Sequence, residues 1–347
     1  EGFPTQIFFR VLSAEGVWTP DLSMPPAIVS ASKNGQTFPQ ISIDAEGNVL
    51  AIWTEFYAEK HHIFSAKKPA GMTWVALGNI SSGLQNAKIT PSKAIALNRS
   101  GDGMAVWQEN GQHHLEIHGA HYENGTWKTP MIIAKEAWEN AQHPSAGIDA
   151  AGNAIIVWSQ ANQILSKNFA HGVLSTETLI ASNPDYAAAR PHVAMDAEGN
   201  AVVVFERYNV LHKYISAATL PKQSTAWTAS IDISAPSPAD ASAAGHPVFF
   251  MNSIGDGVAI WKESMHSNRV IQGAGYSLGT WSLIKTLSSP DGHAGSPSPS
   301  YDIAVALNAA GNILAIWPED PSGTGAQQIK ATAGAGLANR GPLPPLA

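Results

Sequence analysis

The chain has 347 residues, with 20 Lys and Arg against 27 Asp and Glu, a formal net charge of -7 at pH 7 and no cysteine. Its sparse positive charge forms no cluster, which argues against nucleic acid or an anionic membrane as the main partner. The missing cysteines exclude disulfides, thiol catalysis and cysteine-ligated metals.

The ends of the chain bear on where the protein acts. No apolar run has the length of a membrane span, so membrane insertion is not expected. The start at Glu1 shows neither an initiator Met nor an apolar signal region. Together with low charge and abundant Gly, Ala, Ser and Pro, this start predicts an exported bacterial protein that is secreted, periplasmic or on the cell surface.

One pattern, first seen from Pro39 to Glu55, organises the chain. In every copy an Asp or Asn lies three residues before a glycine, which is the signature of a type I turn joining two antiparallel strands, a and b. The six turn glycines are Gly47, Gly101, Gly152, Gly199, Gly255 and Gly311. Six residues after each glycine stands a large aromatic side chain, for which we predict a structural role: Trp53, Trp107, Trp158, Phe205, Trp261 and Trp317.

A third strand, c, follows each polar b to c loop, and a second Trp marks a fourth strand, d, in several copies. Four antiparallel strands per repeat of roughly 50 residues predict an all-β fold, a β-propeller of four-stranded blades. A parallel β-helix is the competing repeat fold, but its rungs are shorter and lack repeated antiparallel hairpins.

The repeats predict a single propeller domain over 1–347. We expect a half-blade of strands c and d in 1–38, repeats at 39–87, 88–142, 143–189, 190–244, 245–298 and 299–333, and a tail or edge strand at 334–347. The six inner hairpins favour six blades, closed by the N-terminal strands joining the C-terminal blade. A further strand c within 327–333 keeps seven blades as the alternative.

The turn between strands c and d carries a family resemblance. It reads Tyr122-Glu-Asn-Gly-Thr-Trp127 and Tyr276-Ser-Leu-Gly-Thr-Trp281, which keeps the Gly and Trp of the sialidase Asp-box but neither its spacing nor its Ser and Asp. Over nearly its whole length the chain resembles bacterial β-propellers of the broad sialidase-like and repeat-lectin type. The resemblance implies the fold and transfers no catalytic residue.

The loops from b to c and from d to a vary between copies, so we expect the ligand-binding surface on that face. Two residues after each strand b aromatic, near that face, the copies carry Glu55, Glu109, Gln160, Arg207, Glu263 and Glu319. These residues, with Tyr208 and His212 beside Arg207, are the candidate ligand-binding set. The alternative is a structural role at the end of each strand b, which we favour because repetition in every blade usually reflects the scaffold.

Histidines also concentrate on this face, but no metal-binding spacing occurs, and we predict neither a metal site nor a cofactor. Exposed rings suited to stacking on a sugar are Tyr57, Trp138, Tyr186, Tyr208 and Tyr301. We therefore predict an exported, non-enzymatic propeller that binds a glycan or a protein partner on the b to c and d to a face. The alternative is a glycan-active hydrolase or lyase that uses the carboxylates.

Overall fold

The computed structural model describes residues 5–12, 17–20, 27–30, 32, 34–90, 92–135, 138–235, 237–238, 245–265, 268–289, 293–294, 303–308, 310–320 and 328–335. Within these ranges the regular structure is strand only. The chain divides into two compact units, one drawn from residues 1–90 and 94–137 and the other from residues 91–93 and 138–347.

The first unit holds four short N-terminal strands and two blades. The short strands are Phe8–Phe9, Val11–Leu12, Trp18–Thr19 and Ala27–Ile28, of which the first pairs with the fourth and the second with the third. Blade 1 has strands a to d at Gln36–Ile43, Val49–Tyr57, Lys60–Lys68 and Val75–Asn79. Blade 2 has a divided strand a at Ala87–Lys88 and Ile95–Leu97, b at Gly103–Asn110, c at Leu115–Glu123, and a divided d at Thr126–Trp127 and Met131–Ala134.

The second unit holds four blades. Blade 3 has a at Gln142–Ile148, b at Ala154–Gln160, c at Gln163–Ala170 and d at Val173–Leu174 with Thr178–Ala181. Blade 4 has a at Ala187–Met195, b at Ala201–Tyr208, c at His212–Leu220 and d at Ile231–Asp232 with Ser237–Pro238. Blade 5 has a at Gly245–Met251, b at Gly257–Met265, c at Asn268–Ser277 and d at Thr280–Trp281 with Lys285–Thr286. Blade 6 has a at His293–Ala294 with Ala304–Leu307, b at Asn312–Asp320 and c at Gln328–Ala335.

In each blade, consecutive strands are antiparallel neighbours, and six such sheets follow one another along the chain. The predicted β-propeller of six blades is confirmed. The strand c that left seven blades open pairs with strand b of blade 6 and so belongs to that blade. Closure by the N-terminal strands stays a prediction, and residues 336–347 of the expected tail lie outside the described residues.

The a to b turns have the predicted form. In blade 3, Asp149 Oδ1 accepts hydrogen bonds from the backbone N–H groups of Ala151 and Asn153, both at 2.9 Å, and Gly152 has a φ of 82°. The N–H of Ala150 also donates to the carbonyl of Ala197 in the equivalent turn of blade 4. The repeated turn therefore closes its own hairpin and joins one blade to the next.

Strand a contributes a second connection between blades through the residue after its proline. Gln40 Oε1 accepts from the N–H of Ala94 at 2.9 Å, and His192 Nδ1 accepts from the N–H of Phe249 at 3.1 Å. Among the histidines expected on the variable face, His192 is only 4% exposed and lies within strand a instead of a loop. Its imidazole serves as an acceptor in the sheet interior.

The strand b aromatics pack between successive blades of one unit. Phe205 lies in one apolar cluster with Ile155 and Val157 of blade 3, and Trp261 lies in another with Val202 and Val204 of blade 4. Because blades 4 and 5 bury both faces in this way, their b strands consist of nearly continuous apolar residues.

Candidate functional site

Strand b places an indole and a carboxylate on the same side of the sheet, because residues i and i+2 of a strand face the same way. In four blades the indole Nε1 donates to the Glu two residues later at 2.9 to 3.3 Å, and these acceptors are Glu55, Glu109, Glu263 and Glu319. In blade 3, Trp158 donates to Oε1 of Gln160 at 3.0 Å. All five acceptors are buried. Each therefore has an intramolecular partner, and a ligand-binding role for the set stays a prediction.

Blade 4 departs from this pattern. The phenyl ring of Phe205 has no N–H group that needs an acceptor, and the residue two positions later is Arg207 instead of an acceptor. The Arg207 guanidinium pairs through two nitrogens with the carboxylate of Asp232, with Nε at 3.2 Å from Oδ1. The same guanidinium lies 4.3 Å from the ring centre of Tyr186 and 4.7 Å from that of Tyr214. Arg207 is therefore fixed by a carboxylate and two aromatic rings.

An open pocket of about 340 Å³ lies in the second unit beside this departure, among residues of blades 3 and 4. The polar side chains in its lining include Gln142, His143, Ser159, Gln160, Arg190 and Tyr208. We call it the Arg190 pocket. Two of the predicted ligand-binding residues, Gln160 and Tyr208, are thus brought together here. Arg207 precedes Tyr208 but is directed to Asp232, and His212 is exposed at the start of strand c.

Two residues of the pocket lining, His143 and Arg190, share a backbone feature that recurs in other blades. His143, Arg190 and His246 each precede a proline in strand a and have φ of 52°, 50° and 55°, and Phe38 of blade 1 has 56°. The pairing of strands a and b shifts register at each of these positions. Positive φ is uncommon for residues other than glycine, and bulges of this kind redirect a side chain out of the regular ladder. We call these four positions the pre-proline bulge.

A fully buried carboxylate anchors Arg190. Oε2 of Glu206 lies 2.8 Å from Nη1 of Arg190 and 3.6 Å from Nζ of Lys213, and Oε1 accepts from the backbone N–H of His246 at 2.6 Å. The backbone of Gly245 passes directly over this carboxylate, because a Cβ on Gly245 would lie 2.5 Å from Oε1. The anchor therefore joins strands of blades 4 and 5.

The electrostatics of the site follow from burial and from this pairing. Burial acts to raise the pKa of Glu206, but the charges of Arg190 and Lys213 and the His246 hydrogen bond outweigh it, so the pKa lies below its usual value. Burial, followed by the charge of Arg190, lowers the pKa of His143 to about 4. Burial also lowers the pKa of His246 to about 4, although the charge of Glu206 acts in the opposite direction. At neutral pH the site thus combines an ionised carboxylate, cationic side chains and two neutral imidazoles.

The tautomer of His143 is set by its neighbours. Ser159 Oγ donates to the carbonyl of Gln142 at 3.1 Å, so the hydroxyl oxygen is the acceptor for Nδ1–H of His143 at 3.3 Å. The lone pair of the imidazole therefore resides on Nε2.

Aromatic side chains differ in how they relate to the pocket. Trp138 is 83% exposed and directly precedes Glu139, which lines the pocket. Tyr186 stacks on Arg207, and Tyr57 is exposed in blade 1 of the first unit. Tyr301 lies outside the described residues.

Two kinds of feature are absent from the described residues. No group of three or more His, Asp or Glu in those ranges is placed to hold a metal ion. The same portion of the chain contains no helix long and apolar enough to cross a membrane.

Sequence reasoning missed Arg190 and Glu206. A signal for Glu206 exists in the position after each strand b aromatic, which holds Thr54, Gln108, Ser159, Glu206, Lys262 and Pro318. Glu206 is the one acid in that column, and a buried strand tolerates a carboxylate only when it is paired. A search for its cation would have led to Arg190, which directly precedes the strand a proline.

Comparison with known proteins supports the architecture. No protein-family model and no curated protein matches the chain. Among solved structures, a protein of unknown function from Dyadobacter fermentans has a TM-score of 0.54 at 10% identity, covering 86% of this chain and 94% of its own.

Two glycan-active enzymes have similar folds. An ulvan lyase of polysaccharide lyase family PL25 has a TM-score of 0.54 at 12% identity, covering 87% of this chain and 80% of its own. It has also been solved bound to -[GlcA(1-4)Rha3S]-. The sialidase NanB from Streptococcus pneumoniae has a TM-score of 0.52 at 9% identity, covering 90% of this chain and 67% of its own. At these identities the similarity shows a fold in common with sialidase and polysaccharide lyase propellers.

Proposed function

We propose that this protein binds an acidic glycan in the Arg190 pocket. The observation that carries the proposal is the position of Arg190, which the pre-proline bulge directs into the pocket and which Glu206 holds through Nη1. Carboxylate and sulfate groups pair with the remaining guanidinium donors in a planar, two-point geometry. A group of this kind on a sugar is the ligand chemistry that best fits the pocket.

The surroundings of Arg190 agree with such a ligand. Lys213 lies 3.6 Å from Glu206, so Arg190 and Lys213 together place two cations against this one carboxylate; Glu139 is an acidic side chain in the lining of the pocket itself. Trp138 and Tyr208 offer aromatic surface for the apolar face of a sugar ring. The ulvan lyase complex with an acidic, sulfated saccharide supports an acidic glycan as the class. Export from the cell, expected from composition, fits this ligand and remains part of the proposal.

Eliminative cleavage is the second candidate, and the lone pair on Nε2 of His143 favours it. In that reaction His143 would take the proton from the carbon next to the acid group, the glycosidic C–O bond at the adjacent carbon would break as a C=C bond forms, and the Tyr208 hydroxyl would protonate the departing oxygen. A pKa of about 4 makes His143 a weak base at neutral pH. Binding is therefore the better supported function.

The test is calorimetric titration with an oligouronate and with a neutral oligosaccharide of equal length. We expect the oligouronate alone to bind, and Arg190→Gln to weaken its binding about tenfold or more through loss of a charged two-point contact. Arg190→Lys keeps a cation beside Glu206, so it separates loss of binding from loss of folding. Arg99→Gln, on the a to b turn of blade 2, is the matched control.

Full-strength binding of the oligouronate to a folded Arg190→Gln variant would refute the assignment of the pocket. Ultraviolet absorbance of an unsaturated product, formed by the natural protein and lost in Tyr208→Phe, would instead establish cleavage.

A further inference from the structure

We propose that Lys93 binds a small inorganic anion of the size of chloride. Lys93 lies between the two parts of strand a of blade 2 and, by its contacts, belongs to the second unit. It is partly exposed, so a small ion can reach it. Neither Lys93 nor the side chains beside its ammonium line the Arg190 pocket. The anion site is therefore separate from the proposed glycan site, and either can exist without the other.

Two aromatic rings of the second unit lie beside the Lys93 ammonium. Its Nζ lies 5.6 Å from the ring centre of Phe250, in strand a of blade 5. The ring centre of His192, in strand a of blade 4, also lies 5.6 Å from that of Phe250. Burial, followed by the charge of Lys93, lowers the pKa of His192 to about 3, so the ammonium is near enough to act on the imidazole. We call these three residues the Lys93 cluster.

The Lys93 cluster contains a positive charge and no negative one. Among the residues that the structure describes, no carboxylate pairs with Nζ, which instead contacts the face of the Phe250 ring. Burial lowers the pKa of Lys93 from 10.5 to about 8, and no described acidic group opposes this change. The amine therefore still carries its proton at pH 7. A desolvated ammonium is unfavourable without a counterion, and a cation–π contact compensates only part of that cost.

His192 adds a hydrogen-bond donor to the cluster. Its Nδ1 accepts from the backbone N–H of Phe249 at 3.1 Å, so the proton of the neutral imidazole resides on Nε2. The cluster thus offers an ammonium and an imidazole N–H, but it offers a metal cation no free lone pair. Because His192 is only 4% exposed, the space beside it suits a small ion. The chemistry of the cluster therefore selects a small anion.

The backbone around Lys93 holds the ammonium in this position. The carbonyl of Lys93 accepts from the N–H of Ala146 at 3.0 Å, and the hydroxyl of Ser92 donates to the carbonyl of Pro144. Both partners belong to strand a of blade 3. An anion bound by Lys93 and His192 would link a segment fixed on blade 3 to blade 4. Because it binds the folded chain and not the unfolded one, the anion should stabilise the fold.

The test is thermal unfolding at pH 7 in increasing sodium chloride, for the natural protein and for Lys93→Met. Methionine keeps most of the length of the lysine side chain and removes the ammonium. General effects of salt act on both proteins, so the difference between them reports the site. Over about a hundredfold range of chloride, we expect the unfolding temperature of the natural protein to rise by about 2 °C or more relative to Lys93→Met.

Lys88→Met is the matched control. Nζ of Lys88 lies 4.8 Å from the ring centre of Phe38, so this lysine also places an ammonium over a phenyl ring, but its side chain is exposed to water. The substitution changes the net charge of the chain as Lys93→Met does. We expect Lys88→Met to respond to chloride as the natural protein does.

Diffraction from crystals soaked in sodium bromide locates the anion directly. We expect an anomalous bromide peak in contact with Nζ of Lys93, and no such peak in Lys93→Met. This measurement also decides the question if Lys93→Met fails to fold, because absence of the peak from the natural protein would then contradict the site.

Three results would count against the anion site. Equal chloride responses of the natural protein and a folded Lys93→Met variant would overturn it. A bromide peak at Lys93 without stabilisation in solution would mean binding at crystal concentration only, and would overturn it as well. A chloride response that Lys88→Met also abolishes would show an effect of net charge instead of a site.

Discussion

His192 provides a test of the hydrogen bonds that connect the blades, because blade 1 carries a glutamine at the equivalent position. Its Nδ1 accepts the N–H of Phe249, and Gln40 occupies the equivalent position of blade 1 and accepts the N–H of Ala94 with its amide oxygen. His192→Gln should therefore keep the hydrogen bond while removing a group that can be protonated.

The expected change in stability follows from the pKa of His192. Burial first, and then the charge of Lys93, lowers the pKa of His192 from 6.5 to about 3 in the folded protein. Between pH 6.5 and pH 3, His192 is therefore protonated in the unfolded chain but neutral in the folded protein. Its contribution to the free energy of unfolding is complete above pH 6.5 and is lost as the pH falls toward 3. At pH 5 the loss is about 2 kcal/mol, since each pH unit below 6.5 costs about 1.4 kcal/mol.

Urea denaturation at pH 7 and pH 5 measures this difference. The natural protein should lose about 2 kcal/mol more than His192→Gln between the two values. His143 and His246, whose pKa values are also lowered, act equally in both proteins and cancel from the comparison. An identical pH dependence of the two proteins would show that His192 is not held neutral by the fold.

Three further substitutions test packing and hydrogen bonding. Gly245→Ala should destabilise the protein by about 2 kcal/mol or more in thermal or urea unfolding, because the new methyl group would lie 2.5 Å from a Glu206 oxygen; an unchanged transition would contradict that approach. Phe205→Trp should cost about 1 to 3 kcal/mol, since Arg207 offers the indole N–H no acceptor, and adding Arg207→Glu should restore part of the loss in a double-mutant cycle. Glu319→Gln should unfold within about 1 kcal/mol of the natural protein, because an amide oxygen accepts an indole N–H in blade 3; a much larger loss would mean that the charge itself is required.

The fold could be predicted because its determinants are local and repeated. The Asx and Gly of each a to b turn are three residues apart and close a hairpin without help from distant parts of the chain. The aromatic at a fixed distance from Gly152, and from its counterparts, then sets the register of strand b. Because the turn and the aromatic recur in six copies, the weak local signal of each copy is supported by the others.

The candidate site could be predicted only in part because it depends on departures from the repeat. Gln160 was a candidate because it lies two residues after a strand b aromatic and Tyr208 because it stands beside Arg207, and both line the pocket. Arg190 lies in a different strand from its partner Glu206, sixteen residues away, and only the folded sheet places them 2.8 Å apart. The left-handed backbone of Arg190 was also not foreseeable, because a residue before proline ordinarily prefers extended backbone.

The pre-proline bulge also has a consequence for how such a protein can change. A benzyl, an imidazole and a guanidinium group all occupy it, at Phe38, His143 and Arg190, with φ differing by only a few degrees. The backbone geometry of the position is thus independent of the side chain it carries. Substitutions there could alter the groups offered to a ligand one blade at a time while leaving the hairpins intact, so the position is a natural starting point for redesigning specificity.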